Sequence, residues 1–180
     1  MASWSRLKSY DDRGITQEAG TAVTRLITSD KVVAILGENT SSMSLAGGRV
    51  AQQYGVPMIS PSSTNPAVTE IGDKIFRVCF LDSFQGWVQA KFAREFLKAQ
   101  TAAILYDQGQ AYSKGLADYF RTAFTGMGGT ITIEQAYTGG DQDVSAQLTT
   151  IRQTNPDLIL VFPVITPTSA TSRSRSVSSA

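Results

Sequence analysis

Two apolar runs that stop abruptly in hydroxyl side chains constrain this chain more than any other feature: residues 32–42 (VVAILGENTSS) and 56–66 (VPMISPSSTNP). A buried parallel strand reads as a near-continuous apolar run, and an open α/β sheet binds small ligands beyond the carboxyl ends of such strands. Both hydroxyl clusters are therefore expected to line one crevice. Ser41 and Ser42 also stand where the next helix, residues 42–53, begins, so unpaired N–H groups and a positive helix end point into the same space. That is a seat for a carboxylate.

The rest of the chain alternates in the same way. Ala19, Val23, Leu26 and Ile27 recur at helical spacing, and residues 32–36, 56–60 and 75–80 read as strands. Helix 45–53 ends at Gly55, and a short helix over 65–71 has Asn65 as its cap, Pro66 at its first position and Gly72 at its close. A long amphipathic helix follows Asp82, with Trp87, Val88, Phe92, Phe96 and Leu97 expected to face the core, and Cys79 is expected to be a buried structural thiol. The second series is strand 101–106, helix 113–127, strand 130–137, helix 144–154 and strand 157–162. Strands separated by such helices pair in parallel through right-handed crossovers. The predicted class is α/β, doubly wound. Residues 163–180 (PVITPTSATSRSRSVSSA) are low in complexity and in apolar side chains, and are expected to be disordered.

Composition removes several function classes. A net charge of +1 with scattered Lys and Arg offers no nucleic-acid surface. The chain has no histidine, which excludes Ser-His and Cys-His nucleophile pairs and the commonest metal ligand. One cysteine makes neither a disulfide nor a zinc cluster. No stretch reaches the roughly 18 apolar residues of a membrane helix, and the first residues, MASWSRLKSYDDRG, lack the apolar core of an export signal. Asp11-Asp12 reads as a solvated turn, and Gly47-Gly48 lies inside a helix with no G-x-G-x-x-G after a strand. No cofactor and no metal are expected.

The ordered set Gly37, Ser41-Ser42, Met58-Ile59-Ser60-Pro61, Thr64-Asn65-Pro66, Arg77, Asp82, Gln85-Gly86 and residues 110–115 (QAYSKG) resembles the leucine/isoleucine/valine-binding proteins. These are the type I periplasmic solute-binding components of branched-chain amino acid ABC importers. The resemblance spans about residues 7–162 and implies two Rossmann-like lobes, incomplete at both ends, that close over one ligand. It places a first lobe at 6–82, a second at 83–162 and a tail at 163–180. It implies an amino acid, or a similar zwitterion or amide, held in the inter-lobe cleft without catalysis, an ABC permease as partner and a periplasmic location. By position it assigns the ligand to Ser41, Ser62, Ser63, Thr64 and Tyr112, with Tyr112 covering it on closure. A zwitterion needs donors for its carboxylate and acceptors for its ammonium, which sets the Ser41 N–H and hydroxyl on the carboxylate and the Ser62 carbonyl and Thr64 hydroxyl on the ammonium.

Departures from the family pattern matter equally. Asn39 and Thr40 replace apolar groups that commonly touch the ligand side chain, so a polar amino acid, an amide or a small carboxylate is as consistent as leucine. After residue 161 the family has a Gly-Tyr-Tyr-like turn, and codons permitted for residues 162–172 contain one in a shifted register, which suggests a frameshifted tail. Serines after strands are ordinary helix caps more often than ligand contacts; the ordered landmarks favour a ligand role for Ser41 and leave Ser42 as a cap. A sensing receptor domain of the same fold, or an α/β enzyme using Ser41 or Asp107, are the alternatives.

Overall fold

Strand and helix alternate to give two sheets of three parallel strands each in a computed structural model that describes residues 6–141 and 143–163. The expectation of a disordered, frameshifted tail falls, beyond Pro163, outside the described residues.

The first sheet has the order β1 (Ile35–Leu36), β2 (Met58–Ser60), β3 (Ile75–Arg77). Its strands are shorter than the apolar runs that announce them. The outer strands each pair on one side only, against the three residues of β2, so Val33 and Val78 run past the ladder and stay exposed. Helix α1 (Thr16–Thr28) buries Ala19, Val23 and Ile27 at fourfold spacing, one stripe of a 3.6-residue helix. Helix α2 (Ser41–Tyr54) comes close because Gly47 and Gly48 carry no side chain: a Cβ there would lie 2.9 Å from Val23 and 2.9 Å from Ile71. Gly55, at φ 69°, closes α2 in the left-handed region. Asn65 caps a 3-10 helix, Pro66–Ile71, by accepting the Ala67 N–H at 3.0 Å. Val23, Ile27, Ile35, Ala51, Met58, Val68 and Ile75 form the core of this unit.

In the second sheet β4 (Thr101–Asp107) lies between β5 (Thr130–Tyr137) and β6 (Leu158–Phe162). Side chains alternate across a strand, and β4 is covered on both faces. Ala102 and Ile104 pack with Leu116, Phe120 and Phe124 of α4 (Ala111–Gly126). Ala103 and Leu105 pack on the other side against Ile151 of α5 (Ser145–Gln153). A strand buried on both faces has no polar alternation, hence the unbroken run AAIL.

Helix α3 (Asp82–Lys91), continued by a π-helical turn at Phe92–Phe96, corrects the expected core. Besides Asp82 at its first position, its buried residues are Gly86, Ala90 and Ala93, whereas Trp87, Val88, Phe92, Phe96 and Leu97 are exposed. The reason is the closeness of α4: a Cβ on Gly86 would sit 2.7 Å from Tyr119 Cβ and 2.8 Å from the Phe120 nitrogen. Only small residues fit that contact, so the large ones turn away. Cys79 is half-buried rather than buried.

The α3–α4 contact makes a direct prediction. Alanine gains up to about 1 kcal/mol of helix propensity over glycine, but overpacking against rigid backbone costs about 1–3 kcal/mol. Gly86→Ala is therefore expected to lower the urea midpoint of unfolding, and an unchanged or raised midpoint would contradict this packing.

Candidate ligand-binding cleft

The two hydroxyl-bearing turns meet on one carbonyl. Ser60, at the end of β2, donates its hydroxyl to the Glu38 carbonyl oxygen at 2.6 Å. The hydroxyls of Ser44 on α2 and Ser63 in the second turn lie 3.1 and 3.2 Å from the same oxygen and 2.7 Å from each other, so one donates to Glu38 and the other to its neighbour. Ser60 Oγ also accepts the Ser63 N–H at 3.0 Å. The network ties the turn before α2 to the turn after β2. Behind the second turn, Arg77 donates to the carbonyls of Ser63, Asn65 and Pro66 at 3.0, 2.8 and 2.9 Å and to the Thr69 hydroxyl at 2.5 Å. Its fork holds the loop from the side away from the cleft.

The second sheet supplies the facing wall. The turn between β4 and α4 docks through one residue: the Ala111 N–H donates to Ser42 Oγ at 3.0 Å, and the Ala111 carbonyl accepts from Asn65 Nδ2 at 2.9 Å. Ser42 thus receives a hydrogen bond from the other sheet; Thr40 is the N-cap residue of α2, without a side-chain cap bond. Tyr112 follows, its hydroxyl accepting from Gln85 Nε2 at 3.0 Å.

Between these walls lies a cavity of about 380 Å³. That is within the usual range for a small-molecule site. Asn39, Thr40 and Ser41 line it from the first turn, Ser62 and Thr64 from the second, and Tyr112 from the far wall. Phe80, Gln85 and Pro163 complete it. Ser63 is not among the lining residues: its hydroxyl is committed to Ser44 and Glu38, whereas the equally buried Ser41 borders the cavity. Three lining residues carry no site assignment from sequence: Gln85 is a landmark of the resemblance, Phe80 falls in an expected strand and Pro163 opens the expected tail. The early end of β3 puts Phe80 in the crossing between the sheets, a consequence that hydropathy does not signal.

Each lining hydroxyl has one proton, and its partners fix where that proton points. Ser62 donates its single proton to Asn39, whose carbonyl and Oδ1 lie 2.7 and 2.5 Å away. Thr64 donates to Asp82 Oδ1 at 2.5 Å. Neither has a proton left, so both can only accept from a ligand. Ser41 Oγ is the reverse case: it accepts the Asn65 N–H at 3.3 Å, and among the described residues nothing takes its proton. The first N–H groups of α2 beside it have no intrahelical partner. The cleft is therefore donor-rich at Ser41 and acceptor-rich at Thr64.

Two carboxyl groups behind the lining are perturbed. Burial pushes Asp82 up to about 6, against the opposing pull of the Thr64 hydrogen bond and the Arg77 charge. Burial pushes Glu38 up to about 7, helped by its hydrogen bond to Asp12 and by the charge of that neighbour. Asp107, the other acid with a conceivable catalytic role, is fully buried and does not line the cavity; its Oδ1 accepts the N–H groups of Gly109 and Gly139 at 2.9 and 3.2 Å, bracing the turns after β4 and β5. Among the described residues no three His, Cys, Asp or Glu side chains converge on a metal position, and no helix is long and apolar enough to cross a membrane.

Comparison with known proteins gives a consistent picture. Residues 6–174 match the periplasmic binding protein family. An amino acid binding protein of Pseudomonas aeruginosa is 32% identical over 155 residues, covering 86% of this chain and 41% of that protein. The leucine binding protein LivK of Thermotoga maritima superposes with a TM-score of 0.82 at 42% identity, over 84% of this chain and 43% of its own. The branched-chain amino acid substrate-binding protein LivJ of Streptococcus pneumoniae, solved in complex with isoleucine, gives 0.77 at 35% identity, again over 84% and 43%. The chain thus spans about two fifths of the length of the curated relatives it matches.

The Glu38 carboxyl sets a pH dependence of stability. A carboxyl whose folded pKa is raised favours the protein below its unfolded value, and that stability is lost as pH rises through about 7. Glu38→Gln keeps a donor for Asp12 and removes the charge. It is expected to gain stability relative to the parent at about pH 8 and to converge with it near pH 5 in urea titrations. Equal stability at both pH values would refute the assignment.

Proposed function

This chain belongs to the periplasmic binding protein family, and from that membership we propose that it is the substrate-binding component of an ABC importer, holding an amino acid or a similar small zwitterion between two lobes without altering it. Residues 6–82 form the first lobe and 83–162 the second in this reading. The Ser41 hydroxyl and the N–H groups at the start of α2 bind the carboxylate. The Thr64 hydroxyl and the Ser62 carbonyl accept from the ammonium. Tyr112 and Phe80 bound the side-chain end, and Asn39 fixes Ser62 while Thr40 adds a second polar wall. Ligands with a hydrogen-bonding side chain, such as an amide, belong in the same class as isoleucine.

The observation that carries this reading is the opposed polarity of the cleft, with a hydroxyl that can donate on one turn and hydroxyls that can only accept on the other. A free amino acid has that polarity along its own backbone, carboxylate to ammonium, within a few ångströms. The amino acid binding protein of Pseudomonas aeruginosa and the isoleucine complex of LivJ support the same ligand class. A serine nucleophile would lack its usual partner: Ser41 is the one serine of the lining with an uncommitted proton, its hydroxyl oxygen accepts the Asn65 N–H, and the chain has no histidine. A permease partner and a periplasmic location follow from family membership as part of the proposal.

Isothermal titration of the full 180-residue chain with isoleucine, threonine, glutamine and their amides tests it. Saturable binding with the ligand recovered unchanged is expected. Ser41→Ala and Thr64→Val should each weaken that binding by about tenfold or more, the effect of losing one hydrogen bond to a charged group. Absence of binding across the panel, chemical turnover, or variants that bind like the parent would overturn the proposal.

A further inference from the structure

We infer that Asp82 is the positioning residue that makes the cleft select for a protonated amine: by taking the single proton of the Thr64 hydroxyl, it leaves that oxygen able only to accept. The inference rests on the amino-acid reading above and deepens it, by naming the group that separates an amino acid from the same carboxylate without its amine.

The geometry around Asp82 is bidirectional. As the first residue of α3 it donates its backbone N–H to the Thr64 carbonyl at 2.9 Å, while its Oδ1 accepts the Thr64 hydroxyl at 2.5 Å. The two bonds bracket Thr64 and fix its side-chain rotamer. Asp82 itself is 0% exposed, and its second carboxylate oxygen has no hydrogen-bond partner among the described residues. Burying a carboxylate with one oxygen unpaired is costly, and a merely structural contact to a threonine would be met as well by an uncharged acceptor. Room for that oxygen exists because residue 115 is glycine: a Cβ there would stand 3.3 Å from Oδ2. Arg77 on β3 is the charged group whose field reaches Asp82, and its guanidinium is spent on three loop carbonyls and Thr69; Thr64 and Gly115, which touch Asp82, carry no charge. Asp82 thus stays free of a direct ion pair and is aimed at Thr64.

The function of this arrangement is directional. A carboxylate can only accept, so the Thr64 proton always points away from the cavity and a lone pair always points in. An amide at the same place can turn its NH₂ toward Thr64, and the threonine proton then swings into the cavity and opposes an ammonium. The discrimination is lost although every contact survives in count.

The test compares isoleucine with 3-methylpentanoate, which has the same side chain and carboxylate and no amine. The full chain is expected to prefer isoleucine by about tenfold or more. In Asp82→Asn the preference falls toward unity, through loss of isoleucine affinity alone, with the deaminated acid bound within about twofold of the parent. Loss of both ligands in parallel would mark a structural role and overturn the inference, as would an unchanged preference. Should Asp82→Asn fold poorly, the parent protein supplies the same comparison by pH. Isoleucine keeps its charges between about pH 8 and pH 5, the affinity of 3-methylpentanoate is expressed per ionised carboxylate because that acid begins to protonate near pH 5, and Asp82, pushed up to about 6, is neutralised over the same interval. The isoleucine preference must shrink as pH falls; because Glu38 titrates in the same interval, the measurement is made in Glu38→Gln, and a constant preference there overturns the inference. Failure of the parent to bind either ligand would instead strike the underlying amino-acid reading.

Discussion

One backbone oxygen, the carbonyl of Glu38, joins the two turns that line the cleft into a single rim. Ser60 reaches it from the strand end, and the Ser44–Ser63 pair reaches it from the helix and from the second turn. A typical hydrogen bond contributes about 1 kcal/mol net, but a buried, mutually satisfied network costs considerably more to break at one member, because the others are left without partners away from water. The cluster is buried at Ser44, Ser60 and Ser63, so water does not compete for the shared oxygen. With the turns fixed to each other, the lining hydroxyls of Ser41, Ser62 and Thr64 keep their spacing without needing a ligand to set it. Preorganisation of this kind lowers the cost of binding.

The far wall depends on the near one. The Ala111 peptide is held at both its N–H and its carbonyl by Ser42 and Asn65, each of which belongs to a turn already fixed by the serine cluster or by Arg77. That contact sets where α4 begins and so where Tyr112 stands over the cavity. Asp82 sits at the crossing between the sheets and addresses Thr64 through both backbone and side chain. Residues that shape the cleft and residues that join the two units are thus the same residues or neighbours.

Much of this was legible in the sequence. The alternation of apolar runs and amphipathic stretches announced all six strands and their parallel pairing, and the Asn65-Pro66 cap stands where it was expected. Hydroxyl clusters after two strands pointed to one crevice, and six of the seven named residues line one cavity. What hydropathy does not encode is distance between elements. The large apolar side chains of α3 look like a core stripe, but the tight approach of α4 admits only Gly86, Ala90 and Ala93. Ser63 and Ser62 are chemically alike and adjacent, and only the fold of the turn decides that one faces inward to Ser44 while the other faces Asn39. Ser42 has the composition of a helix cap yet accepts from a residue far along the chain, a partner that local pattern does not reveal. The role proposed for Asp82 has no local signature either, since in the sequence it stands only as a landmark ahead of a helix and its bond to Thr64 joins residues 18 apart.

Two turns of one sheet and one turn of the other line a single cavity, the seat proposed for the ligand. Amide chemical-shift mapping by NMR, with isoleucine titrated into the full chain, tests it most directly. The largest shifts are expected to fall together, with one saturation curve, on Ser41, Ser62 and Thr64 and on the Ala111–Tyr112 turn. Shifts confined to one turn, or centred on the exposed face of α3 at Trp87 and Phe92, would contradict it.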